Sequence, residues 1–139
     1  MGSGEKEPDL KKRISDAVAE GWFHLAGFQT NPYGYIKNAD LFVCPSYQEG
    51  LSTAVTEAIL LGVPVVSTDV SGAKEILGKN DEYGIVTENS EEGLYIGVRK
   101  MLSEEDRLKH YRQKASERAD CFVPEHTVSL TEAFFFRIV

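Results

Sequence analysis

Asp40-Leu41-Phe42-Val43-Cys44-Pro45 and Gly62-Val63-Pro64-Val65-Val66-Ser67-Thr68 are two apolar runs whose reading decides the fold. Each is short, continuous and bounded by turn-forming or polar residues, as expected of a parallel strand covered on both faces. Residues 52–61 lie between them and read as a helix, closed by Gly62 with Pro64 just beyond.

Working outward, the alternation of helix and strand continues in both directions. Downstream, the pattern predicts a short helix near residues 72–77, a strand at Gly84-Ile85-Val86 and a helix over 91–102. Ser103-Glu104-Glu105-Asp106 resembles a capping box for the next helix, in which Leu108, Tyr111, Ala115 and Ala119 share one side. Pro124 is expected to open a last helix ending in Ala133-Phe134-Phe135-Phe136, a cluster that suits a core or an orphaned interface. Upstream, Leu10, Ile14, Ala17 and Val18 recur at helical spacing over residues 8–20. After Gly21, Trp22-Phe23-His24-Leu25-Ala26 fits a short strand ending at Gly27, and Asn31-Pro32 opens a short helix to about Asn38. Regular alternation of this kind means an α/β layer structure with a mostly parallel sheet.

Composition narrows the function classes. The 139 residues allow one domain of ordinary size, and 42% hydrophobic with 27% charged residues is the balance of a folded globular chain. Fifteen Lys and Arg against twenty-two Asp and Glu leave a net charge of −7, so a nucleic acid or an anionic membrane meets net repulsion. Cys44 and Cys121 stand alone, with no metal-ligand spacing around them, and read as reduced thiols of a cytoplasmic chain. No apolar run reaches the roughly 18–20 residues of a membrane span, and no targeting signal is visible.

Parallel α/β sheets bind ligands outside the carboxyl ends of their strands. That rule selects four loops, at residues 27–30, 46–52, 69–72 and 87–90. Across residues 50–68 the only charged side chain is Glu57. Thr53 lies one helical turn before it, and Glu49 sits at the helix mouth, so two carboxylates bracket one helix terminus. Glu57 either faces solvent or has a chemical task. Gly50 lets the backbone approach a ligand, and the free amides of the first turn bind anions. An ionised carboxylate is purely an acceptor and can hold vicinal hydroxyls. Phosphates and diols occur together in a sugar nucleotide.

Ala39-Asp40-Leu41-Phe42-Val43-Cys44-Pro45-Ser46, Glu49-Gly50, Thr56-Glu57-Ala58, Gly62-Val63-Pro64-Val65-Val66 and Thr68-Asp69 resemble the C-terminal domain of retaining GT-B glycosyltransferases, glycosyltransferase group 1, family 4. Gly27-Phe28, Gly72, Glu75-Ile76 and Tyr83-Gly84-Ile85-Val86 agree with the flanking pattern, over roughly residues 9–120. The central signature is the pair Glu49 and Glu57, with seven residues between them.

The resemblance implies a Rossmann-like three-layer α/β/α domain, part of the C-terminal half of a GT-B fold. It divides the chain into a tag or truncated loop at 1–8, a nucleotide-sugar-binding domain at 9–122 and a C-terminal helix at 123–139. By carry-over, Glu49 is the catalytic-site carboxylate on the transferred sugar, and amides from Gly50 through Leu51 and Ser52 to Thr53 approach sugar and diphosphate. Glu57 holds the ribose, and Gly27 and Phe28 lie beside the base. The hydroxyls of Ser52 and Thr53 bond phosphate or cap the helix, with capping the favoured role for Ser52. The donor is a nucleoside-diphosphate sugar, with no obligatory metal and no other cofactor. The partner is an N-terminal GT-B domain that carries the acceptor site; the family's basic phosphate clamp lies early in the second domain and is expected upstream of this chain, and Lys74 and Lys79 lie too far along the pattern to substitute for it. His24 is expected as a packed or edge strand histidine. The fragment alone is expected to be inactive, and a lipid-linked acceptor would bring the parent to a membrane surface. Two other readings stand beside this one: a non-catalytic nucleotide-binding or protein-interaction module, and a sugar-nucleotide epimerase, whose extra acid/base residues are not identifiable here.

Overall fold

The computed structural model describes residues 5–18, 21–48 and 52–122. These fall into two units, divided after Gly34.

In the first unit, α1 (Glu7–Asp16) opens with Pro8 in its first turn, where a missing N–H costs nothing. Glu7 and Lys11 pair along it at 2.8 Å. It ends sooner than the apolar spacing predicts: Ala17 is its C-cap and Val18 takes φ 52°. Residues 23–29 have no regular secondary structure, which corrects the strand expected at 22–26. A strand needs a neighbour to satisfy its ladder, and the described sheet, β1-β2-β3, includes no partner for this run. Trp22 is accordingly 76% exposed, and His24 is an exposed loop residue instead of a strand histidine.

The helix α2 (Tyr33–Lys37) follows Asn31, whose side chain accepts the Tyr33 N–H at 3.2 Å. The second unit then runs β1 (Phe42–Cys44), α3 (Thr53–Leu60), β2 (Val65–Thr68), α4 (Ala73–Leu77), β3 (Ile85–Thr87), α5 (Glu91–Leu102) and α6 (Glu105–Ala119), closing in a 3₁₀ turn at Asp120–Phe122. The strands pair in parallel in the order β1-β2-β3, with Val43 opposite Val66 and Val66 opposite Ile85. Strand period 2 sends alternate residues to opposite faces. Cys44 and Val65 pack with Val55, Ala58 and Ile59 of α3 and with Ile76 and Leu77 of α4. Val66 and Ile85 pack on the other face with Met101 of α5. Helices thus cover both faces, and α6 bridges their flank through Ala115 in one cluster and Tyr111 in the other.

Two helix ends show how local chemistry sets this geometry. The C-terminus of α3 is a Schellman motif: Gly62, at φ 71°, donates to the Ile59 carbonyl at 2.9 Å and Val63 to the Ala58 carbonyl at 3.0 Å. That turn delivers the chain directly into β2. The capping box expected at 103–106 does not form. Ser103 belongs to the end of α5, its hydroxyl donating to the Lys100 carbonyl, and Glu104 occupies the N-cap of α6 without a side-chain cap. Arg107 secures this corner instead, donating to Ser103 Oγ at 2.8 Å and pairing with Glu104 at 3.0 Å. The last helix expected from Pro124 lies outside the described residues.

Candidate functional site

The three strands end at one edge of the sheet, and each carboxyl end leads through a short loop into a helix. Residues 45–48 follow β1, residues 69–72 follow β2 and residues 88–90 follow β3. Three of the four loops selected from sequence are therefore brought to one edge. Side chains stitch them together. Thr68 Oγ1 donates to the Ser46 carbonyl at 2.5 Å, with the Cys44 carbonyl at 3.4 Å. Asn89 Nδ2 donates to the Tyr47 carbonyl at 2.7 Å, and the Asp69 N–H donates to the Thr87 carbonyl at 2.8 Å. Lys74 is committed to an ion pair with Asp69. A cavity of about 220 Å³ opens here, lined by Pro45, Tyr47, Thr68, Ser90, Glu91 and Leu94.

Of the residues singled out from sequence, Ser52, Thr53 and Glu57 sit on or at the first turns of α3. Thr53 is its exposed first residue, and Glu57, half-buried, follows one turn later on the same face. Ser52 occupies the N-cap position with extended φ −73°, ψ 95°, but its hydroxyl caps no amide, which corrects the favoured role. It is 1% exposed and lies 3.9 Å from Cys44 Sγ, so the hydroxyl turns into the β1–α3 interface. The Thr56 hydroxyl donates to the Ser52 carbonyl at 3.2 Å. Gly27, at φ 63°, and Phe28, 72% exposed, belong to the first unit. Glu49, Gly50 and Leu51 lie outside the described residues.

At the third loop, Ser90 Oγ accepts the Gly93 N–H at 3.0 Å and so does cap α5. The groups whose pKa values depart from the ordinary lie elsewhere. In the turn before β3, hydrogen bonds from the Asn80 backbone lower the Glu82 carboxyl. On α6, burial foremost raises the Tyr111 phenol, and the Lys114–Glu117 hydrogen bond holds Glu117 down and Lys114 up. Among the described residues, no group of three or more His, Cys, Asp or Glu is arranged to hold a metal ion. Thr68 and Asn89 were not recognised from sequence. The loop rule located the segment containing Asn89, but nothing in the spacing marks which side chain reaches across.

Helices on both faces of a parallel sheet, with loops gathered at its carboxyl edge, define a Rossmann-like α/β domain of the kind that binds ligands at that edge. The family model for glycosyl transferases group 1 matches residues 1–118, and the chain belongs to that family. It is 34% identical to the N-acetylgalactosamine-N,N'-diacetylbacillosaminyl-diphospho-undecaprenol 4-alpha-N-acetylgalactosaminyltransferase of Campylobacter jejuni, over 88% of this chain and 34% of that one. It is 31% identical to the O-antigen biosynthesis glycosyltransferase WbnH of Escherichia coli, over 93% of this chain and 35% of that one. The chain thus spans about a third of the length of these relatives. Its backbone superposes on the pneumococcal O-GlcNAc transferase GtfA, solved with UDP and GlcNAc, with a TM-score of 0.78 at 18% identity, covering 98% of this chain and 28% of that one. That likeness places the fold among GT-B glycosyltransferases.

Proposed function

We propose that this chain is the donor-binding part of a glycosyltransferase that moves a sugar from a nucleoside-diphosphate sugar to an acceptor with retention of configuration. The observation that carries the reading is the position of α3. Its N-terminus begins at the carboxyl edge of the sheet, and Glu57 is its only charged residue. Glu57 is half-buried and one turn inside the helix, which supports a reading in which it accepts hydrogen bonds from vicinal hydroxyls beside a diphosphate.

In this reading Glu57 holds the ribose hydroxyls, and the amides of residues 50–53 approach the sugar and diphosphate. Glu49 contacts hydroxyls of the transferred sugar as the catalytic-site carboxylate. Charge developing on the departing diphosphate is stabilised by the positive end of α3 and by basic residues upstream of it in the parent protein, with no obligatory metal. The described chain by itself is then a binding unit without turnover. The family 4 assignment and a cytoplasmic location belong to the same proposal. Among the described residues no helix is long and apolar enough to cross a membrane. The name of the Campylobacter jejuni relative makes a diphospho-undecaprenol-linked sugar the first acceptor to try, at a membrane surface. UDP conjugates are the first donors to try, from the ligand in the GtfA structure.

The test is donor binding and turnover by the full-length parent across UDP, GDP and ADP sugars, with Glu57→Gln and Glu49→Gln. A hydrogen bond to a charged group contributes about 1.5–3 kcal/mol, so Glu57→Gln is expected to weaken nucleotide binding roughly 10- to 100-fold. Glu49→Gln is expected to lower kcat far more than it weakens binding of the free nucleotide. Unchanged nucleotide affinity in Glu57→Gln would remove the ribose assignment.

A further inference from the structure

We propose that the cavity at the carboxyl edge of the sheet, lined by Pro45, Tyr47, Thr68, Ser90, Glu91 and Leu94, is a subsite for a single neutral sugar ring, separate from the mouth of α3. That the ring belongs to the acceptor rests on the donor-site reading above; the subsite itself rests on the cavity. Its volume is about 220 Å³, below the roughly 300–1,000 Å³ of sites that enclose a drug-sized ligand. A nucleotide with its sugar is too large for it, whereas one sugar ring is not. None of its lining residues belongs to α3, where the donor reading puts the nucleotide.

The walls come from three strand ends and are tied together. Pro45 and Tyr47 follow β1, Thr68 ends β2, and Ser90, Glu91 and Leu94 form the entry of α5. Thr68 Oγ1 donates to the Ser46 carbonyl at 2.5 Å and Asn89 Nδ2 to the Tyr47 carbonyl at 2.7 Å, which fixes the β1 side of the cavity to the other two. A site held in shape before the ligand arrives loses less freedom on binding.

The lining chemistry selects the ligand. Thr68 Oγ1 has given its hydrogen and keeps a lone pair that accepts, while Ser90 Oγ accepts the Gly93 N–H and keeps a hydrogen to donate. The exposed Glu91 carboxylate accepts only, and the exposed Tyr47 phenol does both. Donors and acceptors mixed in this way match hydroxyl groups, each of which also donates and accepts. An ionised phosphate or carboxylate offers acceptors alone and would meet the Glu91 charge with no Lys or Arg among the lining residues. An ammonium group would satisfy Glu91 but has nothing to accept the Ser90 hydrogen. Pro45, Leu94 and the Tyr47 ring supply apolar surface for the C–H faces of a sugar.

The experiment uses the full-length parent protein and measures, by saturation-transfer NMR, binding of glucose, galactose, mannose and their N-acetylamino forms, with glucosamine and glucuronate as cationic and anionic counterparts. A neutral ring is expected to bind in preference to both charged ones and to stay bound when a UDP sugar is added, as an acceptor ring must. Tyr47→Ala and Glu91→Ala, both at exposed positions, are each expected to weaken it about tenfold while thermal midpoint and UDP affinity stay unchanged. Leu94→Trp, which fills the cavity, is expected to abolish it. Leu94 also packs on the core, so the two exposed variants carry the test if that one does not fold. Unchanged sugar affinity in Tyr47→Ala and Glu91→Ala, tighter binding of a charged ring, or no binding of any neutral ring overturns the subsite. Displacement of the ring by the UDP sugar puts it in the donor site and overturns the proposal as well. Absence of UDP, GDP and ADP binding in the wild type removes the donor-site reading instead; a neutral ring still lost in the variants then leaves the subsite standing without its acceptor role.

Discussion

Replacing Gly97 by alanine sets two effects of similar size against each other, and the packing of α5 on the sheet decides between them. Gly97 is buried in the interior of α5, where helix propensity alone favours alanine by about 1 kcal/mol. A Cβ at this position would lie 2.3 Å from Thr87 Cγ2 and 3.1 Å from Val66 Cγ1. The first distance is well inside carbon–carbon contact, so α5 or β3 must shift. Thr87 does not turn aside easily, because its χ1 is stiff and its hydroxyl donates to the Glu88 carbonyl at 3.1 Å. Overpacking of this kind costs about 1–3 kcal/mol, and a stiff neighbour puts it in the upper part of that range. The net expectation is destabilisation by about 1–2 kcal/mol, or roughly 4–8 °C in Tm for a domain of this size. Urea or thermal unfolding followed by far-UV circular dichroism measures it. The single tryptophan is a poor reporter, since Trp22 is exposed in the other unit. Thr87→Ser deletes Cγ2 and keeps the hydroxyl, so Gly97→Ala in that background should be nearly neutral. Stabilisation by Gly97→Ala alone, or an undiminished loss beside Thr87→Ser, would refute the close approach.

Two further outcomes follow from Asp81 and its neighbours. The Thr87 carbonyl faces β2, so strand alternation turns the Val86 N–H to the outer edge of β3, where Asp81 Oδ1 accepts it at 2.9 Å. Asp81 also pairs with Lys100 at 3.4 Å and sits at φ 59°, a region asparagine tolerates better than alanine. Asp81→Ala is therefore expected to speed Val86 amide exchange and to destabilise by about 1–2 kcal/mol, while Asp81→Asn retains most of both. Tyr111 donates its hydroxyl to the Asp81 carbonyl at 3.0 Å, and burial, then the Asp81 charge, raise its pKa. A raised phenol pKa means the folded state holds the proton more tightly. Its contribution is complete below about pH 10 and is lost as pH climbs from there through the raised value. Tyr111→Phe should abolish that part of the alkaline decline, and the difference in phenolate absorbance between the two proteins isolates the titration.

Much of the fold was legible because its signals are local. The run at 42–44, the Gly62 stop and the continuous valines of β2 each depend on neighbours within a few residues, and all three appear where the pattern placed them. Ser90 capped its helix as its type and place suggest. Ser52 has the same residue type in the same kind of position and does not cap, because Cys44 and the β1–α3 interface draw its hydroxyl inward. Ser103 failed as a cap because α5 continues to Leu102 and takes the serine for its own end. The run at 22–26 is apolar enough for a strand, yet a strand is a property of a pair, and composition does not report the partner.

Alternation of apolar runs with helical spacing determined, from the sequence by itself, an α/β chain with a parallel sheet and the loops where a ligand would sit. Glu57 also stood out there, as the only charge across residues 50–68. These are short-range patterns, fixed by periods of 2 and 3.6 residues. The tertiary structure alone decided which side chains meet at the carboxyl edge. Thr68 finds Ser46 across 22 residues and Asn89 finds Tyr47 across 42, and contacts at such separations leave no periodic trace in the chain that makes them.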